Sequence, residues 1–274
     1  MSEQVILEAR NVGLSYRQRT GVLRFKHFWA LDEVSFTLRA GETLGVIGAN
    51  GAGKSTLLRM IAGIMEPDRG TLWRKPGLNA SLLALSVGFK PELSGRENVI
   101  IGGLLLGLSL QRIRSLVDDI QAFSELGEFF ERPVGSYSTG MRARLGFAVA
   151  IHADPDIMLI DEVLGVGDER FRAKSQQAMR DKIEAKKTVV LVSHSMEAIR
   201  LLCDRVLWIH EGRSIVCGPT EEVIDGYLET IRLAVKQQQA EERAAKRSQM
   251  PLATAAGMPI SGSAAEARGL SQKP

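Results

Sequence analysis

The chain has 274 residues, 45% of them hydrophobic and 24% charged, which excludes disorder of the whole and allows one large domain or two small ones. Its formal charge of +3 is unevenly placed: residues 232–274 carry seven Lys/Arg against three Glu, leaving residues 1–231 at −1 (28 against 29). By charge alone the body is therefore not a nucleic-acid surface.

In chain order, MSEQVILEARNV has no basic stretch followed by an apolar one, so no secretory signal is expected. Residues 4–10 and 33–39 alternate as strands do. Between them lies RQRTGVLRFKHFW (17–29), four Lys/Arg with three aromatics, which is expected to interrupt the pairing of those strands. TLGVIG (43–48) reads as a short strand ending in Gly, followed by a Gly-rich turn and a helix from Lys54. Residues from about 86 to 152 read as an inserted helical subdomain. It holds NVIIGGLLLGL, an amphipathic QRIRSLVDDIQAFSEL, and a helix with Ser138 as N-cap, stopped by Asp154-Pro155. The longest nearly uncharged apolar run, Val99–Leu110, falls short of the ~20 residues a membrane span needs. Work at a membrane thus requires a partner that crosses it.

IMLI (157–160) and VVLV (189–192) have the unbroken apolar pattern of parallel strands covered on both faces. RVLWIHEGRSIVCG predicts a hairpin turning at Glu211-Gly212, and EEVIDGYLETIRLAVKQQQ a C-terminal helix. Beyond about residue 240 the composition turns to Ala, Ser, Gly, Pro and Gln, as for a fraying helix end and a disordered tail. The expected division is a domain over 1–231 and a tail over 232–274. Cys203 and Cys217 lack metal-ligand spacing and are expected to be small buried hydrophobes in a reduced compartment.

Gly48-Ala49-Asn50-Gly51-Ala52-Gly53-Lys54-Ser55 fits the phosphate-loop pattern and sits between a predicted strand and a predicted helix. Backbone amides there can close around phosphates, Lys54 offers a point charge, and the Ser55 hydroxyl can ligate Mg2+. Asp161-Glu162 follows IMLI at a strand end, where an open α/β sheet keeps its ligands, placing Asp161 on the metal and Glu162 on an attacking water. His194 follows the other core strand in the same geometry. SYSTGMRARLG (136–146) is a helix start far from that loop, where Ser138, Thr139 and Gly140 can receive a second anion.

Taken together, GANGAGKST, SYSTGM, IMLIDE, Asp168 and Ser193-His194 resemble the phosphate loop, signature, Walker B, D-loop and switch histidine of the ATP-binding cassette (ABC) ATPases. Tyr16 stands where that family stacks an aromatic on adenine. The resemblance, over residues 5 to about 231, implies an α/β fold: a P-loop NTPase core with an antiparallel β subdomain and an inserted helical subdomain. It implies ATP hydrolysis with Mg2+, in which Lys54, Glu162 and His194 are catalytic and Ser55 and Asp161 hold the metal. The nucleotide would lie on Tyr16, Gly48, Asn50, Gly51, Ala52, Gly53, Lys54, Ser55 and Thr56 of one subunit and on Ser138, Thr139, Gly140 and Asp168 of a head-to-tail partner. Two departures stand out. Thr139 and Met141 replace Gly and Gln of the commonest signature, and Leu85 falls where the family's Q-loop glutamine belongs.

YSTGMRARLGFAVA, DEVLGVGDERF and LSGRENV further resemble ATPase subunits of exporters of O-antigen, capsule or teichoic acid chains. This implies a homodimer bound to two copies of a polytopic membrane permease, acting indirectly on a lipid-linked polysaccharide and on no nucleic acid. It would sit at the cytoplasmic face of the inner membrane, peripheral through the permease. In that branch the 17–29 insertion lies on the membrane side. The alternatives are a soluble ABC ATPase acting on nucleic acid or ribosomes, or a subunit for a different substrate. The segment between Lys54 and Ser138 is too short for the long coiled coils of chromosome-maintenance types, and only one cassette is present.

Overall fold

The computed structural model describes residues 4–19, 25–83, 88–161 and 168–248. Its first element is a long antiparallel hairpin of β1 (Val5–Arg19) and β2 (Phe25–Arg39). The register runs from Val5↔Arg39 to Arg19↔Phe25, so the basic and aromatic segment extends the pairing instead of interrupting it. Aromatic side chains favour the pleated surface, Tyr16 stands opposite Phe28 in the register, and register shifts near Val12 and Leu14 absorb the irregularity. The Arg17 guanidinium lies 3.7 Å from the centre of the Phe25 ring, and Arg69 lies 4.4 Å from that of Trp29. Arg24 is outside the described residues.

β4 (Arg69–Arg74) pairs with the other edge of β1, completing a three-stranded antiparallel subdomain. A parallel bridge, Glu33↔Arg213, joins it to the main sheet. There β3 (Thr43–Ile47), β5 (Ala80–Leu82), β6 (Ile157–Asp161), β7 (Thr188–Val192) and β8 (Arg205–His210) run parallel, with β9 (Arg213–Pro219) antiparallel to β8. The order across the whole is β4-β1-β2-β9-β8-β3-β7-β6-β5. Every residue of β3 and β7 is buried, which is why both read as unbroken apolar runs. The β8–β9 hairpin turns where expected, with Glu211 (φ 48°) and Gly212 (φ 77°) in the left-handed region.

α1 (Lys54–Ile61) packs Leu57, Leu58, Met60 and Ile61 into this core, where truncating any one to Ala costs about 2–5 kcal/mol. The helical part contains α2 (Gly95–Leu105), α3 (Leu110–Ser124), two 3₁₀ turns and α4 (Thr139–Ala153), around Val99, Ile113, Ile120, Phe130, Leu145 and Val149. α2 starts on a capping box: the Ser94 hydroxyl accepts from the Glu97 amide, and the Glu97 carboxylate accepts from the Ser94 amide at 2.8 Å. Asn98, fully buried, accepts from the Lys90 amide at 2.7 Å and donates to the carbonyls of Lys90, Leu93 and Ser94. One side chain thus holds the loop that leads into the helices. α4 ends at Asp154, left-handed at φ 49° and followed by Pro155.

α5 (Glu169–Glu184) and α6 (Met196–Leu202) follow β6 and β7, and α7 (Thr220–Ser248) closes the described chain. α7 stays helical through Ser248, past the composition change near residue 240. One compact unit spans Met1–Leu228 and a second begins at Glu229. Among the described residues no helix is long and apolar enough to cross a membrane. Both cysteines are free thiols; Cys203 is buried and Cys217 half-buried. Burial pushes the Cys203 thiol up to about 12.

Candidate functional site

The phosphate loop leaves β3 at Gly48 and enters α1 at Lys54, and its path needs residues without a Cβ. At Gly53 (φ 103°) a Cβ would fall on the Ala30 carbonyl oxygen, and at Gly48 (φ 152°) on that of Ile209. Ala52 is buried beneath the loop, its amide donating to Ala49 O at 3.2 Å and its carbonyl accepting from the Gly212 amide at 3.2 Å. The Lys54 side chain is curled inside, with Nζ donating to the Gly48 carbonyl at 2.8 Å and the Ala49 carbonyl at 3.0 Å. Burial holds its pKa below the ordinary lysine value, and the nearby Asp161 carboxylate opposes that shift.

A cleft of about 420 Å³ opens over this loop. Asn50, Gly51, Gly53, Lys54, Ser55 and Thr56 form its floor, and Asp161 and His194 stand at the far wall. They arrive there because β6 and β7 are adjacent parallel strands with Asp161 paired to Val192, so both strand ends open on the same side. Tyr16, half-buried on the main core, lines the other wall; its hydroxyl lies 3.5 Å from Thr56 Oγ1 and donates to Met65 Sδ at 3.4 Å. Glu162 and Leu85 are outside the described residues.

Ser138, Thr139, Gly140 and Asp168 do not line this cleft. Ser138 caps α4, its Oγ accepting from the Met141 amide at 3.1 Å, and Ser138 and Thr139 are exposed. The helix end therefore faces solvent with its amides outward. Asp168 caps α5 by accepting from the Phe171 amide at 2.9 Å, and Arg144 of α4 donates to its other oxygen at 2.8 Å. The Phe171 amide, with Arg144 adding to it, holds the Asp168 carboxyl below the usual range. Arg144 ties the signature helix to the N-cap of α5, a link that no spacing rule in the sequence announces.

Phe28 also lines the cleft, across from Tyr16. Sequence reasoning missed it, because its place follows only from the continued hairpin register. A second cleft, of about 430 Å³, lies between the sheet and the helices, with Arg59, Ile64, Leu82, Phe89, Leu105 and Val149 among its walls. Ile64 and Leu105 are each exposed to 65%. The apolar run 99–110 thus divides, with Val99 in the core and Leu104, Leu105 and Leu110 outside.

Residues 31–165 match the family model of the ABC transporters. An O-antigen export system ATP-binding protein of Klebsiella pneumoniae is 45% identical over 206 residues, which cover 75% of this chain and 83% of that protein. The chain belongs to the ABC transporter family. A teichoic acids export ATP-binding protein of Levilactobacillus brevis is 45% identical over 203 residues, 74% of this chain and 56% of that protein. The chain spans about half the length of several of the curated relatives it matches. Among solved structures, a dimeric ATP-binding cassette in a post-hydrolysis state with ADP and Pi superposes with a TM-score of 0.64 at 22% identity, covering 78% of this chain and 99% of that one. This likeness carries the fold: a P-loop ABC core, an antiparallel β subdomain and a helical insertion.

The donor set in the ABC cleft suits Mg2+. It offers a hydroxyl at Ser55 and a carboxylate at Asp161, hard oxygen ligands few enough to leave positions for water and phosphate oxygens.

Proposed function

We propose that the chain is the ATP-hydrolysing subunit of an exporter that moves a lipid-linked polysaccharide across the bacterial inner membrane. It works as a homodimer bound to two copies of a polytopic permease at the cytoplasmic face. The observation that carries this is a division of labour in space. Lys54, Ser55, Asp161, His194 and Tyr16 share one cleft, while the anion-ready end at Ser138, Thr139 and Gly140 stands outside it on an exposed helix terminus. A second copy turned head to tail supplies that end to the γ-phosphate. The export ATP-binding proteins that the chain resembles point to O-antigen and teichoic acid chains as the cargo class.

In this reading the ATPase domain is residues 1–231, with its helical subdomain near 86–152. The loop amides and Lys54 bind the phosphates, and Ser55 with Asp161 would hold Mg2+, which when bound offsets phosphate charge. Glu162, one residue past the end of β6, orients the water that attacks the γ-phosphorus as its bond to the ADP oxygen breaks. His194 steadies the γ-phosphate from the end of β7. Asp168 lies at the dimer contact, held by Arg144. The cleft between sheet and helices takes a cytoplasmic helix of the permease, its exposed Ile64 and Leu105 matching an apolar partner face.

Two outcomes test this. Glu162→Gln removes the water-orienting carboxylate but leaves nucleotide binding, so ATP with Mg2+ should convert the variant to a stable dimer on size-exclusion chromatography while phosphate release falls about 10²–10³-fold. Expressed with a polytopic permease, the wild-type chain should sediment with membranes, and without one it should not. Recovery on DNA or ribosomes would replace the exporter reading.

A further inference from the structure

Phe28 is 55% exposed, an unusual place for a phenylalanine unless something covers it, although single exposed apolar residues also occur without function. Its position separates the two cases. In β2 it pairs directly with Tyr16 of β1, so the two rings project from the same face of the hairpin, their Cβ atoms about 4.5–5.5 Å apart. Ala30, two residues on and on the same face, also lines the cleft with Phe28 and Tyr16. Tyr16 is fixed, its ring packed on the core and its hydroxyl beside Thr56 and Met65, so it offers the cleft only part of its surface. Phe28 supplies the exposed ring beside it.

We propose that Phe28 is a second base-stacking residue, so that a purine nucleotide held by the phosphate loop rests its base on an apolar ledge made of two cross-strand aromatics. This rests on the nucleotide-binding reading above and adds to it a ligand contact from the residue 17–29 segment. The ring has no donor or acceptor, so it strengthens binding without reading base edges. Adenine and guanine nucleotides gain from it alike. The same segment that carries Arg17 and Phe25 on its other face thereby has one face committed to nucleotide.

The test is calorimetric titration of the full chain with ATP, GTP and inorganic tripolyphosphate, each with Mg2+. Phe28→Ala should weaken ATP and GTP by a similar factor, about five- to twentyfold, and leave tripolyphosphate unchanged. Phe28→Trp should bind at least as tightly as wild type. Phe28→Leu, which keeps the apolar volume and the strand but loses the π face, should fall between wild type and Ala. Unchanged ATP affinity in Phe28→Ala, full recovery by Leu, or an equal loss for tripolyphosphate overturns the proposal. A wild-type chain that binds no ATP sinks the nucleotide-binding reading along with it, whereas ATP binding that survives Phe28→Ala sinks this inference alone.

Discussion

Lys54→Ala should reduce ATP hydrolysis by about 10²–10³-fold, the scale on which one preorganised charge at a reacting oxyanion is felt. Lys54 is 8% exposed, and its ammonium donates to the Gly48 and Ala49 carbonyls within the loop that would hold the β- and γ-phosphates. Its burial disfavours the charged form, and Asp161 restores part of that preference. Lys54→Arg is the informative companion, because it retains charge but presents a planar fork in place of a compact ammonium. It should recover part of the nucleotide affinity and little of the rate. Phosphate release and calorimetry measured on the same samples decide this, and turnover within threefold of wild type in Lys54→Ala would remove Lys54 from the chemistry.

Ser138→Arg should abolish ATP-driven dimerisation while leaving nucleotide binding by the monomer within about twofold. The serine does two jobs that can be separated. As N-cap of α4 it accepts from the Met141 amide, a contact worth about 1 kcal/mol. It is also an exposed group at a helix N-terminus, which in the proposed head-to-tail dimer would meet the partner's γ-phosphate. Ser138→Ala loses only the cap and should cost stability with modest loss of dimer. Ser138→Arg adds a long side chain that blocks the approach, and Ser138→Asp keeps the cap but repels the phosphate. Introduced beside Glu162→Gln, both charged variants should run as monomers with ATP. A normal dimer in Ser138→Arg would show that the signature helix end takes no part in closure.

Most of the candidate site was legible in the sequence because phosphate chemistry constrains residue types locally. A loop that wraps backbone amides around phosphates must lack Cβ atoms at Gly48 and Gly53, and the clashes with Ala30 and Ile209 carbonyls give the reason in space. Polar residues directly after unbroken apolar runs mark strand ends, and those runs are continuous because β6 and β7 are covered on both faces. The Ser138 cap was readable because capping is decided within three residues. The expectation for residues 17–29 was corrected for the opposite reason. Charge spaced through aromatics resembles a loop along the chain, whereas cross-strand partners, Tyr16 for Phe28 and Gln18 for Lys26, make it strand.

What the amino-acid order determined by itself was therefore the family, the phosphate loop, the metal-ligand candidates and the helix that starts at Ser138, all set by neighbours a few residues apart. What only the tertiary structure decided was which of them meet. Parallel pairing of β6 with β7 brings Asp161 and His194 over Lys54, hairpin register brings Phe28 beside Tyr16, and the Arg144 to Asp168 ion pair fastens α4 to α5. Such encounters depend on strand register and helix packing between segments far apart in the chain, and period and spacing within one segment carry no record of them.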